Sequence, residues 1–242
     1  MTEFNPQNYR ILAVDDSLTT LTMVETTLKS AGFQVMTAES GEDALELMKT
    51  QGLPHLAVVD VNMPLGMDGF ELSEKIQQFC DLPVIMLTAV DEANVIIEAI
   101  DKYAEDYMTK PFSKGELIAR VRRVLKRIGV FAFPLESYTR VDDHLAINFA
   151  DTTAILDNQT IALTPTESKL LYIMMRSAGQ VVSPGFIMRR LWPHDMANAT
   201  EDRLRVYIHR LRSKIEVDPS NPRYVLAQRG KGYSFGELVS TP

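Results

Sequence analysis

The chain has 242 residues, more than one average domain and enough for two, each with its own core. Hydrophobic residues make up 45% and charged residues 24%, which excludes collagen-like, disordered and coiled-coil chains. The net charge of −7, taken whole, argues against a nucleic-acid partner, and the single cysteine, Cys80, excludes an internal disulfide and a thiolate metal cluster and suits a reducing cytosol.

Met1 to Arg10 is polar and carries Glu3, unlike a secretory signal. Five short apolar runs then alternate with helical patterns. Strands are predicted at Arg10–Val14, Phe33–Thr37, Leu56–Asp60, Pro83–Leu87 and Asp106–Met108, apolar throughout as in a parallel sheet covered on both faces. Helices are predicted at Thr19–Ala31, Gly41–Gln51, Asp68–Phe79, Asn94–Lys102 and Ser113–Arg127. This order predicts a doubly wound α/β domain with a five-stranded parallel sheet over residues 1–128, whose ligands bind at the carboxyl ends of the strands. The longest apolar run, Leu82–Val90, contains Thr88 and falls short of the ~18 residues a spanning helix needs. A soluble, cytoplasmic protein without a membrane partner is expected.

Residues 129–140 lack a period, contain Pro134 and read as a linker. The second domain, 141–242, opens with short strands at Leu145–Phe149, Thr153–Leu156 and Thr160–Leu163, with Asp157-Asn158 as a turn, hence an N-terminal antiparallel sheet. Thr164-Pro165-Thr166-Glu167 is a helix start with a capping box. Pro184 starts a second helix and Thr200 a third, which runs to about Glu216. Arg223–Gln228 and Tyr233–Phe235 flank Arg229-Gly230-Lys231-Gly232 as a hairpin. Three helices and a hairpin predict a winged helix-turn-helix. The glycine-rich tip joins two strands and opens no helix, so it is not a dinucleotide loop.

Charge divides unevenly between these halves. Residues 1–128 carry 20 acids and 12 bases, a net of −8, whereas 165–235 carry 6 acids and 12 bases, a net of +6. The acidic average hides a basic module.

In the first domain Asp15 and Asp16 lie just past the first strand and Asp60 ends the third, so the three carboxylates converge at one sheet edge. Such a cluster repels itself unless a divalent cation or a proton joins it, and hard oxygen donors favour Mg²⁺. Thr88, following the fourth strand, and Lys110, following the fifth, bring a hydroxyl and a cation to the same edge. A carboxylate so surrounded can attack phosphorus and hold the phosphoryl group. Solvated strand ends are the bland alternative, common for any one residue but strained as an account of five.

Asp15-Asp16, Asp60, Thr88-Ala89 and Lys110-Pro111 resemble the motif set of two-component receiver domains, which are flavodoxin-like, over about residues 9–128. The resemblance implies that Asp60 accepts phosphoryl from a histidine kinase. Asp15, Asp60 and the Asn62 carbonyl would ligate Mg²⁺, with Asp16 acting through water. Thr88 and Lys110 would bind the phosphoryl oxygens, Tyr107 would turn inward as a switch, and Lys110–Pro111 would be cis. A packed aromatic is the plain alternative for Tyr107. Asp106, Glu116, Arg120 and Arg127 match the dimer surface formed by the family's fourth helix, fifth strand and fifth helix. The loop Asn62-Met63-Pro64-Leu65-Gly66-Met67-Asp68-Gly69 is one residue longer than the usual pattern, with Gly66 able to absorb the extra residue. The fourth helix, Asn94-Val95-Ile96-Ile97-Glu98, lacks the basic residue of the family's dimer ion pairs.

In the second domain Leu204, Ile208, Leu211 and Ile215 form one apolar stripe of the third helix. Val206, His209, Arg210 and Ser213 face the other way, flanked by Arg203 and Lys214 on one shoulder and by Arg205 and Arg212 on the other. Such a helix suits a major groove, and Arg229 and Lys231 at the hairpin tip suit a minor groove; a solvated amphipathic helix is the bland alternative. Thr164-x-x-Glu167, Leu191-Trp192, Arg210-Leu211-Arg212-Ser213-Lys214 and Arg229-Gly230-Lys231-Gly232-Tyr233 resemble the OmpR/PhoB-type winged helix. This implies base contacts from Arg210 and Val206, phosphate contacts from Tyr207, His209 and Arg212, and minor-groove entry by Arg229. Trp192 would be core or phosphate-facing. Asp202 and Arg205 stand where the family usually has a base and an acid, a swapped ion pair.

Together these features predict a phosphorylation-controlled transcriptional regulator rather than an enzyme, beyond Mg²⁺-dependent self-phosphorylation and autodephosphorylation at Asp60. It would dimerise on phosphorylation, bind tandem half-sites on double-stranded DNA and work with RNA polymerase. One competitor is a phosphorylation-independent regulator whose receiver is a constitutive dimer or adaptor-binding module. The other is an aspartyl-phosphate hydrolase, which needs a second acid where Asn62 stands.

Overall fold

The computed structural model describes residues 4–64, 66–89, 104–128, 138–193 and 195–236, with the backbone alone at 127 and 128. The predicted helix at Asn94–Lys102 lies outside the described residues, as does most of the predicted linker. The chain divides into two compact units, residues 1–76 with 82–130 and residues 77–81 with 131–242.

The first unit is built on β1 (Arg10–Val14), β2 (Gln34–Ala38), β3 (Leu56–Asp60), β4 (Val84–Ala89) and β5 (Asp106–Lys110), all parallel in the order β2-β1-β3-β4-β5. Every residue of β3 is buried, as are all but the first of β1 and all but the last of β4, as a sheet covered on both faces requires. The helices are α1 (Leu18–Ser30), α2 (Gly41–Gln51), α3 (Gly69–Phe79) and α4 (Lys114–Ile128). Ser17 and Ser40 cap the first two, each accepting a backbone N–H three residues on.

Strand edges depart from expectation for identifiable reasons. Phe33 is not in β2: its N–H closes α1 on the Leu28 carbonyl past Gly32, whose φ is +93°, so pairing starts at Gln34. Pro83 has no N–H to donate, and β4 starts at Val84, although the Pro83 carbonyl still accepts from Ala57. At the other end Thr88 pairs with Thr109 and Ala89 with Lys110. Thr88 and Lys110 are therefore inside β4 and β5 rather than beyond them.

In the second unit β6 (Thr139–Arg140), β7 (Leu145–Asn148), β8 (Thr153–Leu156) and β9 (Gln159–Ala162) form an antiparallel sheet in chain order. β6 corrects the linker assignment of Thr139 and Arg140, which pair with Ile147 and Ala146. Asp157 and Asn158 both have positive φ, the mirror-image turn that fits a tight hairpin. Three helices follow, α5 (Pro165–Arg176), α6 (Pro184–Leu191) and α7 (Glu201–Ile215), each with a side-chain N-cap, from Thr164, Ser183 and Thr200. Glu167 completes the capping box. The hairpin β10 (Val225–Gln228) and β11 (Gly232–Phe235) is shorter than predicted at its start, because the Glu216 carboxylate takes the N–H groups of Arg223, Tyr224 and Val225. A Cβ on Gly232, at φ +144°, would lie 2.1 Å from the Val182 carbonyl oxygen, so only glycine lets β11 bridge to Val182.

Candidate functional site

The strand order reverses at β1, so the crevice outside its carboxyl end and that of β3 is where such a sheet binds ligands. Asp15 follows β1 and Asp60 ends β3; both are buried, while Asp16 is exposed. One carboxylate oxygen from each of the three lies within 4.8 Å of the others. Lys110 at the end of β5 reaches across, its Nζ 2.7 Å from Asp15 Oδ2 and 2.9 Å from Asp60 Oδ1. Thr88 is buried one residue short of the end of β4.

The electrostatics follow from this crowding. Burial, together with Asp15 and Asp16, raises the Asp60 pKa above its ordinary 3.8, and Lys110 offsets only part of that. Burial opposes the charge on Lys110, but its bonds to Asp15 and Asp60 hold the ammonium above its ordinary 10.5. Two of the three carboxylates share one cation. The oxygen donors of all three, with no His or Cys in the group, suit a hard divalent ion.

Described residues on both sides of position 65 in the stretch after Asp60 are packed inward. Met63 and Met67 are buried. Gly66 has φ +96°, a left-handed position that favours glycine. Gly69 donates to the Val61 carbonyl at 3.1 Å, and a Cβ there would stand 2.2 Å from the Asp60 carbonyl oxygen. Glu42, which the sequence did not single out, accepts the Met67 N–H at 3.2 Å. Lys110–Pro111 is cis. Tyr107 is 45% exposed, so its ring does not pack as a core aromatic.

On the β5–α4 surface Arg120 bonds Asp106 at 3.1 Å and Glu116 at 2.8 Å. Arg123, not anticipated from sequence, adds a 2.5 Å bond to Asp106; it follows Arg120 by three positions and so shares its helix face. The Arg127 side chain lies outside the described residues.

In the second unit α7 buries Leu204, Ile208, Leu211 and Ile215 and exposes Val206, His209, Arg210 and Ser213, as its spacing predicts. The shoulders are different. Arg203 bonds Asp195 at 2.5 Å and lies over the Trp192 ring at 4.3 Å. Lys214 bonds the Ala162 carbonyl at 2.8 Å and buried Glu167 at 2.7 Å. Arg212 donates to the Val225 carbonyl through Nε at 2.9 Å. These three groups tie the helix to its own frame. Arg205 is exposed and paired with Asp202 at 2.7 Å, the swapped ion pair. Trp192 is buried against Tyr207, with ring centroids 5.4 Å apart. Arg229 and Lys231 are exposed around Gly230, at φ +72°.

Comparison with known proteins agrees with both halves. Residues 11–122 match the family described as "Response regulator receiver domain", and residues 158–235 match "Transcriptional regulatory protein, C terminal". The chain is 36% identical to the "Probable transcriptional regulator ycf27" of Guillardia theta, over 95% of this chain and 91% of that protein. It is 34% identical to the "Transcriptional regulatory protein KdpE" of Mycobacterium tuberculosis, over 93% and 98% respectively. Among solved structures, the Thermotoga maritima OmpR/PhoB homologue DrrB is 30% identical, covering 95% of this chain and 99% of that one, with a TM-score of 0.44. By the two family matches and the 36% and 34% identical relatives, the chain belongs to the response-regulator transcriptional regulators, in which a receiver domain precedes a DNA-binding domain.

Proposed function

We propose that Asp60 is the phosphoacceptor and that its phosphorylation controls DNA binding. The observation that carries this is the convergence of Asp15, Asp16 and Asp60 on one edge, with Lys110 bonded to two of them. The Asp60 carboxylate attacks the phosphorus of a phosphohistidine; the P–N bond breaks as the P–O bond forms, and the histidine keeps the electron pair. Mg²⁺ supplies positive charge for the incoming phosphoryl oxygens. Asp15, Asp60 and the Asn62 carbonyl would hold it, with Asp16 acting through water. Lys110 then exchanges a carboxylate for a phosphoryl oxygen, and the Thr88 hydroxyl, now donating to the Ala89 carbonyl at 3.3 Å, turns to another.

Movement of Thr88 opens the space into which Tyr107 turns from its exposed position. The β5–α4 surface then pairs two chains. Asp106 and Arg120, bonded within one chain here, exchange partners across the dimer with Glu116 and Arg127. Two winged helices reach tandem half-sites. Arg210 and Val206 contact bases, Tyr207, His209 and Arg212 contact phosphates, and Arg229 enters the minor groove with Lys231 beside it. Arg203 and Lys214 serve this interface through their bonds to Asp195 and Glu167, and Arg205 adds charge at the helix start. A histidine kinase, DNA and RNA polymerase are the partners, in the cytoplasm. Among the described residues no helix is long and apolar enough to cross a membrane.

Incubation with acetyl phosphate and Mg²⁺, read by intact mass, tests the first step. The wild type should gain one phosphoryl group, and Asp60→Ala should gain none. A wild type that stays unlabelled would remove the phosphoacceptor, and turnover of a small phosphate ester would favour a hydrolase instead. The longer loop is the one feature that favours a phosphorylation-independent receiver, and the complete acidic set speaks against it.

A further inference from the structure

We infer that Glu42 is a positioning residue for the phosphorylation site, acting through the extended loop after Asp60. This rests on the reading of Asp60 as an Mg²⁺-dependent phosphoacceptor. In that reading the Asn62 carbonyl would join Asp15 and Asp60 in holding the metal, and Gly69 lies back against the Asp60 carbonyl. The far end of the loop is fixed: Asp68 and Glu71 cap α3 reciprocally, Glu71 N–H to Asp68 Oδ1 at 2.8 Å and Asp68 N–H to Glu71 Oε2 at 3.3 Å. Between that cap and Asn62 lies the added residue, and Glu42 meets the chain there.

Three observations place Glu42 as the fastening. Its Oε1 accepts the Met67 N–H at 3.2 Å. Its carboxylate lies so close to Gly66 that a Cβ on that residue would stand 3.0 Å from Oε2. The Met67 side chain is buried and packs on the first residue of α2, where a Cβ on Gly41 would be 3.0 Å from Met67 Sδ. α2 thus holds Gly66 and Met67, in the stretch that follows Asn62. A loop tied at both ends pays its ordering cost once, in folding; untied, part of that cost falls on each binding of Mg²⁺.

The test uses the full chain and two readouts, hydrogen exchange of the 61–69 segment and acetyl-phosphate labelling, each across a Mg²⁺ titration. Glu42→Ala should speed exchange at Met67 without metal. It should raise the half-saturating Mg²⁺ in both readouts about three- to tenfold, the range of one ordinary hydrogen bond, while leaving the final extent of labelling unchanged. Glu42→Gln, whose amide oxygen still accepts the Met67 N–H, should restore the wild-type midpoint. A Glu42→Ala chain with the wild-type midpoint in both readouts overturns the positioning role and leaves the phosphoacceptor intact. A wild type that shows neither Mg²⁺-dependent protection nor labelling overturns both.

Discussion

At Gly69 one methyl group is enough to test how tightly the site is built. The Asp60 carbonyl oxygen, 2.2 Å from where a Cβ would stand, is backbone and cannot swing aside, so Gly69→Ala must move α3 or β3. Overpacking of this kind costs about 1–3 kcal/mol. Urea denaturation should show that loss, and an unchanged midpoint would mean that the loop yields freely. On α7 the residues divide by what they touch. Arg210 is exposed, its guanidinium 5.5 Å from the Tyr207 ring, and Arg210→Ala should lose about 1–3 kcal/mol of discrimination between cognate and random DNA at little cost in stability. Arg203→Ala removes the Asp195 bond and the Trp192 contact, and should lower thermal stability while weakening all DNA alike. Equal effects of the two substitutions in both assays would undo this division. The sequence showed which residues of α7 carry charge. It did not show that Arg203 and Lys214 bond inward, because their partners Asp195, Glu167 and Ala162 are set by tertiary packing. Glu42 was hidden for the same reason: an acid in the first turn of a helix reads as a dipole partner.

Elements were legible where the signal is local. Ser17, Ser40, Thr164, Ser183 and Thr200 cap the helices they precede, and a hydroxyl before an apolar-periodic run is visible in any window. Strand limits depended on partners. β4 continues through Thr88 because β5 continues beside it, and two-residue β6 exists only as a neighbour of β7. The pair Glu167–Lys214 joins the cap of α5 to α7 and has a testable pH dependence. Burial works to raise the Glu167 pKa, but bonds from Lys214 and Thr164 outweigh it and hold the carboxyl below its ordinary 4.5. A carboxylate depressed by folding stabilises fully above its unfolded value and loses that contribution as pH falls through its folded value. Glu167→Gln should therefore cost about 2 kcal/mol at neutral pH, with a shrinking difference from wild type as pH falls below 4.5. A difference that stays constant with pH would mean that the ion pair contributes nothing beyond the cap.

For the whole molecule, the charge of −7 describes neither half. It combines an acidic receiver whose carboxylates crowd one sheet edge with a segment of net +6 carrying α7 and the β10–β11 hairpin. The proposed coupling of the two is a population shift in the receiver read out as avidity on paired half-sites. The most direct measurement is the affinity of the full chain for a DNA fragment selected from a random library, before and after acetyl-phosphate treatment with Mg²⁺. The wild type should bind about tenfold tighter or more once phosphorylated, and Asp60→Ala should bind equally in both conditions. Equal affinity of the labelled and unlabelled wild type, or an Asp60→Ala chain that still responds, would contradict control through Asp60.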